Sequence, residues 1–234
     1  MDLKGKGALV TGASRGLGRE LSRVLAREGA RVAMVARDPG ALEAAARAIR
    51  AEGGDAHPVA GDVGDKLETY AIAGTAEALV GPIELVIHAA STLGPLPMPL
   101  LMDTACEDLA HVLEVNLLGP FRLTKALAGA MALRGGGAVV LVSSDAAVSG
   151  YPGWGAYGIS KAALDHLGRT WAAELAGRVG FLAVDPGEMD TQMHADAMPD
   201  ADRATLARPA HVAERIVRLL AQPFESGARV TVAS

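Results

Sequence analysis

The sequence predicts a single α/β domain, residues 1–234, with about seven parallel strands in a doubly wound sheet and helices on both faces. Three observations predict it. Short runs rich in Val, Leu and Ala alternate along the chain with Ala- and Leu-rich segments of helical period. A length of 234 residues suits one sizeable domain and is short for two. Half of the residues are hydrophobic, yet only three Phe, three Tyr and two Trp are present, so the core is built from Ala, Val and Leu. Small side chains of that kind suit helices packed closely on a parallel sheet.

The elements follow in order. Gly7 to Val10 is a short buried strand that runs into Thr11-Gly-Ala-Ser-Arg-Gly-Leu-Gly18, and Glu20 to Arg27 carries Leu21, Val24 and Leu25 on one helical face. Strand, glycine turn and helix form the setting in which Gly12, Gly16 and Gly18 let backbone N–H groups approach a phosphate. Arg31 to Ala36 reads as the second strand, Arg37-Asp38-Pro39 as a turn and helix start, and Ala41 to Glu52 as a helix stopped by Gly53-Gly54. Ala56 to Ala60 is a third strand ending at Gly61-Asp62-Val63, with His57 as an edge residue without a role. A helix over about Leu67 to Leu79 leads to a fourth strand, Ile83 to Ala90.

Ser91 to Pro99 holds Gly94 and three prolines and reads as a loop at the rim where open α/β sheets bind ligands. A long helical segment over about Asp103 to Leu133 meets Asn116 and Gly119-Pro120, where a kink or break is expected. Gly137 to Ser144 is the fifth strand, and a loop then leads to a helix whose apolar stripe is Leu164, Leu167, Trp171 and Leu175. Phe181 to Asp185 forms the sixth strand. Glu188 to Asp202, without a clean period, reads as a mobile lid or a surface loop. Pro209 opens the last helix, and Arg229 to Ala233 closes the sheet.

Function classes narrow on composition. A net charge of −5 argues against nucleic acid or an anionic membrane as partner, and no apolar run reaches the ~20 residues of a membrane helix. Cys106 is the lone cysteine, so no internal disulfide forms. The N-terminus also enters a strand at once, and a cytoplasmic protein is expected. No metal is expected.

The candidate chemistry lies between Ser144 and Lys161. Tyr157 and Lys161 are four apart at the start of a helix, which places them on one face, a turn apart. An ammonium beside a phenol stabilises the phenolate and is expected to lower the tyrosine pKa toward neutrality. Ser144, ending a buried strand, offers a neutral hydroxyl to hold a carbonyl or alcohol oxygen next to that phenol.

These residues together resemble the short-chain dehydrogenase/reductase family along essentially the whole chain. Thr11-Gly12-x-x-x-Gly16-x-Gly18 resembles its cofactor glycine motif, and Asp62-Val63 its adenine-contacting pair. Asn116, Ser144, Tyr157 and Lys161 resemble its catalytic tetrad, and Pro186-Gly187-x-x-x-Thr191 its nicotinamide-carboxamide segment. The resemblance implies a Rossmann-type fold and a nicotinamide cofactor touched by Gly12, Ser14, Arg15, Gly16, Leu17, Gly18, Arg37, Asp62, Val63, Ala89, Ala90, Tyr157, Lys161, Pro186, Gly187, Met189 and Thr191. It also implies that Asn116 holds a water leading from Lys161 to solvent. Trp154-Gly155-x-Tyr157 and Asp185 to Met193 are further similar to sepiapterin reductase and benzil-reductase-like carbonyl reductases, which implies a small carbonyl or dicarbonyl substrate.

The sequence departs from the family at His88-Ala89-Ala90-Ser91, where Asn-Asn-Ala-Gly is usual. A side chain at Ser91 is expected to crowd the cofactor's approach, and the lost asparagine to loosen neighbouring strands. Ala36 stands where an acidic residue would accept from the ribose of unphosphorylated cofactor, and Arg37 and Arg15 stand nearby, so NADPH is expected to be preferred over NADH. The alternative is Asp38 turned inward in the ribose role, or a catalytically silent dinucleotide-binding sensor or scaffold. Small residues on several helical faces (Ala126, Ala130, Ala162, Ala163 and Ala172) predict a homodimer. The sequence stops at Ser234 without the glycine-containing tail of many members, which favours the dimer over a tetramer.

Overall fold

The computed structural model describes residues 2–232. Its centre is one seven-stranded sheet in the order β3-β2-β1-β4-β5-β6-β7. The strands are β1 (Gly7–Thr11), β2 (Arg31–Ala36), β3 (Asp55–Ala60), β4 (Ile83–His88), β5 (Ala138–Val142), β6 (Gly180–Asp185) and β7 (Ala228–Thr231), all parallel to their neighbours. The expected end of the last strand at Ala233 lies outside the described residues. The chain winds from β1 out to β3, crosses back to β4 and winds outward to β7. That reversal opens a crevice beyond the carboxyl ends of β1 and β4, the place where such sheets bind ligands.

Each face of the sheet carries its own core. Helices α1 (Gly16–Arg27), α2 (Pro39–Ala51) and α8 (Pro209–Leu220) bury Leu21, Leu25, Leu42 and Ile216 against Met34 and Ile87. On the other face, α3 (Lys66–Val80), α5 (Gly119–Leu133) and α6 (Gly155–Glu174) bury Ile72, Leu123, Leu127 and Leu164 against Leu9, Val86 and Phe181. Trp171 of α6 stacks between Phe121 and Phe181, with centroids 6.2 and 6.3 Å away. The helix starts are built into the sequence. Asp38 accepts from the N–H groups of Gly40 and Ala41, and Asp65 from those of Leu67 and Glu68.

The expected break near Pro120 takes a specific form. Helix α4 (Cys106–Leu113) passes through a π-helical turn, Glu114–Leu118, into α5. Pro120 has no N–H to return to the Asn116 carbonyl four residues back, and the Gly119 N–H bonds instead to Glu114, five back. The widened turn swings Asn116 into the interior, where it is 1 % exposed.

The region 188–202 carries regular structure, and Glu188 to His194 with Ala197 and Met198 line the cleft at the carboxyl ends of the strands. It contains α7 (Gln192–Ala197), whose first turn is capped by Thr191 accepting from the His194 N–H. Arg203 pairs with Asp190 at 2.6 Å, and a parallel bridge joins Met189 to Ala207. His57 lies on the edge strand β3 and bonds Asp55 at 2.6 Å, as its position predicts. Among the described residues no helix is long and apolar enough to cross a membrane.

Candidate active site

A cleft of about 1790 Å³ runs along the carboxyl ends of the strands. Every residue expected to touch a cofactor lines it, as do Ser144, Tyr157 and Lys161. At one end, Gly12 turns with φ +69°, and a Cβ there would stand 2.8 Å from the Ala90 nitrogen. A Cβ at Gly18 would collide with the carbonyl oxygen of Gly12. Only glycine satisfies both positions. The turn is held from below by Thr11, whose Oγ1 accepts from the N–H groups of Ala89 and Ala90 at 3.1 Å each. The N-terminus of α1 opens into the cleft above it, and a dinucleotide pyrophosphate fits that cradle. Across the gap stands Thr191, whose methyl would lie 3.6 Å from a Cβ on Gly16.

Where the cleft meets the end of β2, Ala36 offers no acceptor side chain. Arg37 is largely exposed and reaches Asp62 only at 4.0 Å, while Arg15 is exposed and makes no ion pair among the described residues. Asp38 does not turn inward. Its Oδ1 caps α2 through two N–H bonds.

At the other end, Tyr157 is 8 % exposed and packs edge-on against Trp154, with centroids 5.7 Å apart. Leu93, Met98, Met193 and Ala197 complete an apolar compartment around them. Lys161 Nζ lies 5.5 Å from the Tyr157 ring centroid, so the helical spacing does bring the pair together. The expected electrostatic result does not follow. Burial pushes the Tyr157 phenol up to about 12, with Asp145 and Asp185 adding to the rise and the neighbouring hydroxyls of Ser144 and Ser91 opposing it. The Lys161 ammonium is spent on the Val142 carbonyl at 2.7 Å, and burial brings it down to about 8. Desolvation of the phenolate therefore outweighs the neighbouring cation. At neutral pH the site holds a neutral phenol, suited to giving a proton.

Asn116 lies behind the cleft and not on its wall. Its Oδ1 accepts from Thr92 N–H at 2.8 Å and Ser91 Oγ at 3.1 Å; its Nδ2 donates to the Thr92 carbonyl at 2.9 Å and Ser160 Oγ at 3.0 Å. With all four bonds made to protein, the side chain fastens the loop after β4 to α6 and is not free to hold a water. The departure at residues 88–91 brings its own partners. His88 is buried, bonds Thr124 on α5 at 2.9 Å, and is held down to about 3 by burial and by the charge of Lys161, so it is neutral. Ser91 sends its hydroxyl to Asn116, and its side chain stands on the cleft wall.

Two groups at this end carry no signal at the level of sequence motifs. Asp145 accepts from Ser144 Oγ at 2.9 Å and from the Tyr151 hydroxyl at 3.0 Å, so it competes for the serine's proton. Arg229 of β7 donates to the Ser144 carbonyl at 2.8 Å, to Asp185 at 3.0 Å and to Asp165 at 3.1 Å. A guanidinium in a closing strand of otherwise uncharged residues was the only available sign.

A doubly wound sheet with a glycine cradle and a buried phenol beside a serine hydroxyl defines a nucleotide-dependent oxidoreductase. The chain belongs to the short chain dehydrogenase family, whose profile matches residues 6–202. It is 33 % identical over 227 residues to carbonyl reductase family member 4 of Danio rerio, covering 94 % of this chain and 93 % of that protein. A short chain dehydrogenase from Shigella flexneri 2a, solved with NADP, superposes with a TM-score of 0.83 at 30 % identity, over 89 % of this chain and 88 % of that one. A 7α-hydroxysteroid dehydrogenase, solved with NADH and 7-oxo glycochenodeoxycholic acid, superposes at 0.90 with 26 % identity, over 98 % and 93 %. The protein is an NAD(P)-dependent short-chain dehydrogenase/reductase.

Proposed function

We propose that the protein reduces the carbonyl of a small, largely apolar molecule at the expense of NADPH, with Tyr157 as the general acid. One observation carries the reading. A neutral phenol and a serine hydroxyl share an apolar compartment that opens into the same cleft as the glycine cradle. When bound there, the nicotinamide cofactor supplies the hydride. Ser144 turns its proton from Asp145 to the substrate oxygen and fixes the oxygen's angle beside Tyr157. Tyr157 gives its proton to that oxygen as the alkoxide develops, and Lys161 offsets the negative charge left on the phenol. Asn116 acts by holding the floor of the site. Trp154 and Met193 shut water out of the compartment. Cofactor oxidation with a panel of aldehydes, ketones, α-diketones, quinones and pterins tests the reading. Turnover confined to apolar carbonyls is the expected result, and no turnover with any of them sinks it.

The choice of NADPH rests on this chain's residues, because solved relatives carry NADP in one case and NADH in another. Arg15 and Arg37 offer charge-assisted bonds to a 2′-phosphate. Ala36 does not repel that anion, and Asp38 is engaged as a helix cap, which removes the rival acceptor. An NADPH preference of at least ~10-fold in kcat/KM is expected, about 1.4 kcal/mol. Ala36→Asp combined with Arg37→Leu should reverse the order. A preference for NADH in the unmodified enzyme would count against the assignment.

A homodimer with a two-fold interface belongs to the same reading. Ala126 and Ala130 on α5 and Ala162 and Ala163 on α6 remain exposed or half-exposed, leaving small-residue faces open to a second copy. Ala172 is not among them, because it is buried in the core. Light scattering at micromolar concentration should give twice the monomer mass, and a monomer there would refute the dimer.

A further inference from the structure

We infer that Asp145 is a specificity-determining residue: its carboxylate, hydrogen-bonded to Ser144, selects carbonyl substrates with a hydroxyl on the neighbouring carbon and turns away those with a carboxylate there. The inference rests on Ser144 as the group that holds the reacting carbonyl.

The geometry that carries it starts with the Ser144 hydroxyl. Asp145 Oδ1 lies 2.9 Å from Ser144 Oγ, and a carboxylate only accepts, so the serine proton points at it. The Ala146 N–H donates to both oxygens, at 2.9 Å to Oδ1 and 3.2 Å to Oγ. Ala146 itself packs into the apolar compartment with Tyr157, which sets the carboxylate at the edge of that compartment. Ser144 Oγ therefore meets an incoming molecule with a lone pair and not with a proton. A carbonyl oxygen has no proton to give, so it is held only when Ser144 turns its own away from Asp145. Oδ1 then keeps the Ala146 N–H and loses its hydroxyl donor.

A hydroxyl on the carbon beside the carbonyl restores what that turn removes. Oxygens on adjacent carbons, when eclipsed, stand about as far apart as Ser144 Oγ and Asp145 Oδ1, 2.9 Å. Ser144 donates to the carbonyl oxygen while the substrate hydroxyl donates to Oδ1, so two parallel bonds form in one exchange. A plain ketone leaves the second bond unmade. A site built around a hydrogen bond discriminates strongly against the analogue that lacks it.

Charge sets the other half of the selection. Asp185, at the end of β6, binds Arg229 at 3.0 Å, and Asp190 binds Arg203 at 2.6 Å. Asp145 makes no ion pair among the described residues, and the second partner of its carboxylate is a neutral one, the Tyr151 hydroxyl at 3.0 Å from Oδ2. Lys161 is committed to the Val142 carbonyl at 2.7 Å. A substrate carboxylate next to the reacting carbon would face the Asp145 charge without a free cation to receive it. The rest of the molecule meets Leu93, Met98, Trp154 and Met193, so its body stays apolar.

The test compares carbonyl compounds that share one aryl body: a methyl ketone, its hydroxymethyl ketone, a 2-oxo acid and the methyl ester of that acid. Two ratios of kcat/KM are read, hydroxymethyl ketone over methyl ketone and ester over acid. Reactivity intrinsic to each compound is the same in every variant, so a change in a ratio isolates the protein's part. Asp145→Ala should cut the first ratio by ~10- to ~100-fold, the worth of one hydrogen bond to a charged group, and the second by at least ~10-fold. Asp145→Asn keeps the shape and one acceptor oxygen without the charge, so it should cut the second ratio as far and the first one less. Tyr151→Phe leaves the carboxylate in place and should preserve both ratios. Ratios in Asp145→Ala and Asp145→Asn equal to those of the unmodified enzyme overturn the inference. So does an unmodified enzyme that prefers the acid to its ester, or a Tyr151→Phe enzyme that loses both ratios, which would assign them to the shape of the loop. Turnover without discrimination removes only the part given to Asp145, whereas no turnover of any of the four compounds removes the underlying reading as well.

Discussion

Tyr157→Phe is expected to lower turnover by ~10²–10⁴-fold while cofactor still binds. The substitution removes the phenolic oxygen and leaves the ring, so the edge-on contact with Trp154 is retained and the apolar compartment keeps its shape. Cofactor titration by fluorescence, beside single-turnover kinetics, separates binding from chemistry. A rate near that of the unmodified enzyme would end the proposed mechanism. A second readout follows from burial of the phenol. The folded state holds the Tyr157 proton up to about 12, whereas the unfolded chain releases it near the ordinary value of 10.0. That raised pKa contributes stability present below pH ~10 and lost as pH rises toward ~12, on the order of 2–3 kcal/mol. The Phe variant has no such proton to release. Its stability should fall less steeply than that of the unmodified protein across that window, as read by denaturant midpoints.

The fold was legible because it rests on local signals. β-branched runs, the glycine turn after β1 and the Asp38 and Asp65 caps each act within a few residues. The cleft was legible for a related reason. A doubly wound sheet brings the carboxyl ends of all its strands to one edge, so Gly12, Asp62, Ala90, Ser144 and Pro186 meet there once the strands are placed. Three features could not be read. The part Asn116 plays depends on a π-turn that widens the helix by one residue and rotates the amide inward, which no periodicity count resolves. The Tyr157 pKa depends on the balance of burial against a cation that a carbonyl has claimed, and four-residue spacing reports only the cation. Ser91 was legible as a departure, but the direction of its hydroxyl depends on Asn116, 25 residues away. Each failure concerns competition between partners in three dimensions.

The contact that lay furthest from the sequence leads to the largest expected effect on stability. Arg229 binds two nearly buried carboxylates, Asp165 on α6 and Asp185 at the end of β6, whose side chains are 4 % and 7 % exposed. Its partners stand 64 and 44 residues away along the chain. The same guanidinium holds the Ser144 carbonyl, and so fixes the strand end from which Ser144 reaches the cleft. Arg229→Met keeps much of the side-chain volume and leaves both carboxylates without their cation. Removing one partner of a buried ion pair typically costs ~3–5 kcal/mol, because the remaining charge is uncompensated. For a domain of this size the melting temperature should drop by roughly 6–20 °C. Arg229→Lys keeps the charge and loses the planar fork that reaches three acceptors at once, so an intermediate loss is expected. Asp165→Asn with Asp185→Asn in the Arg229→Met background should recover part of the stability, since neutral amides need no counter-charge. Turnover should not recover with it, because the Ser144 carbonyl remains unanchored. Denaturant midpoints for the four proteins decide the matter. If Arg229→Met lay within ~1 kcal/mol of the unmodified protein, the triad would be worth no more than a surface ion pair, and the anchoring of Ser144 by β7 would have to be abandoned.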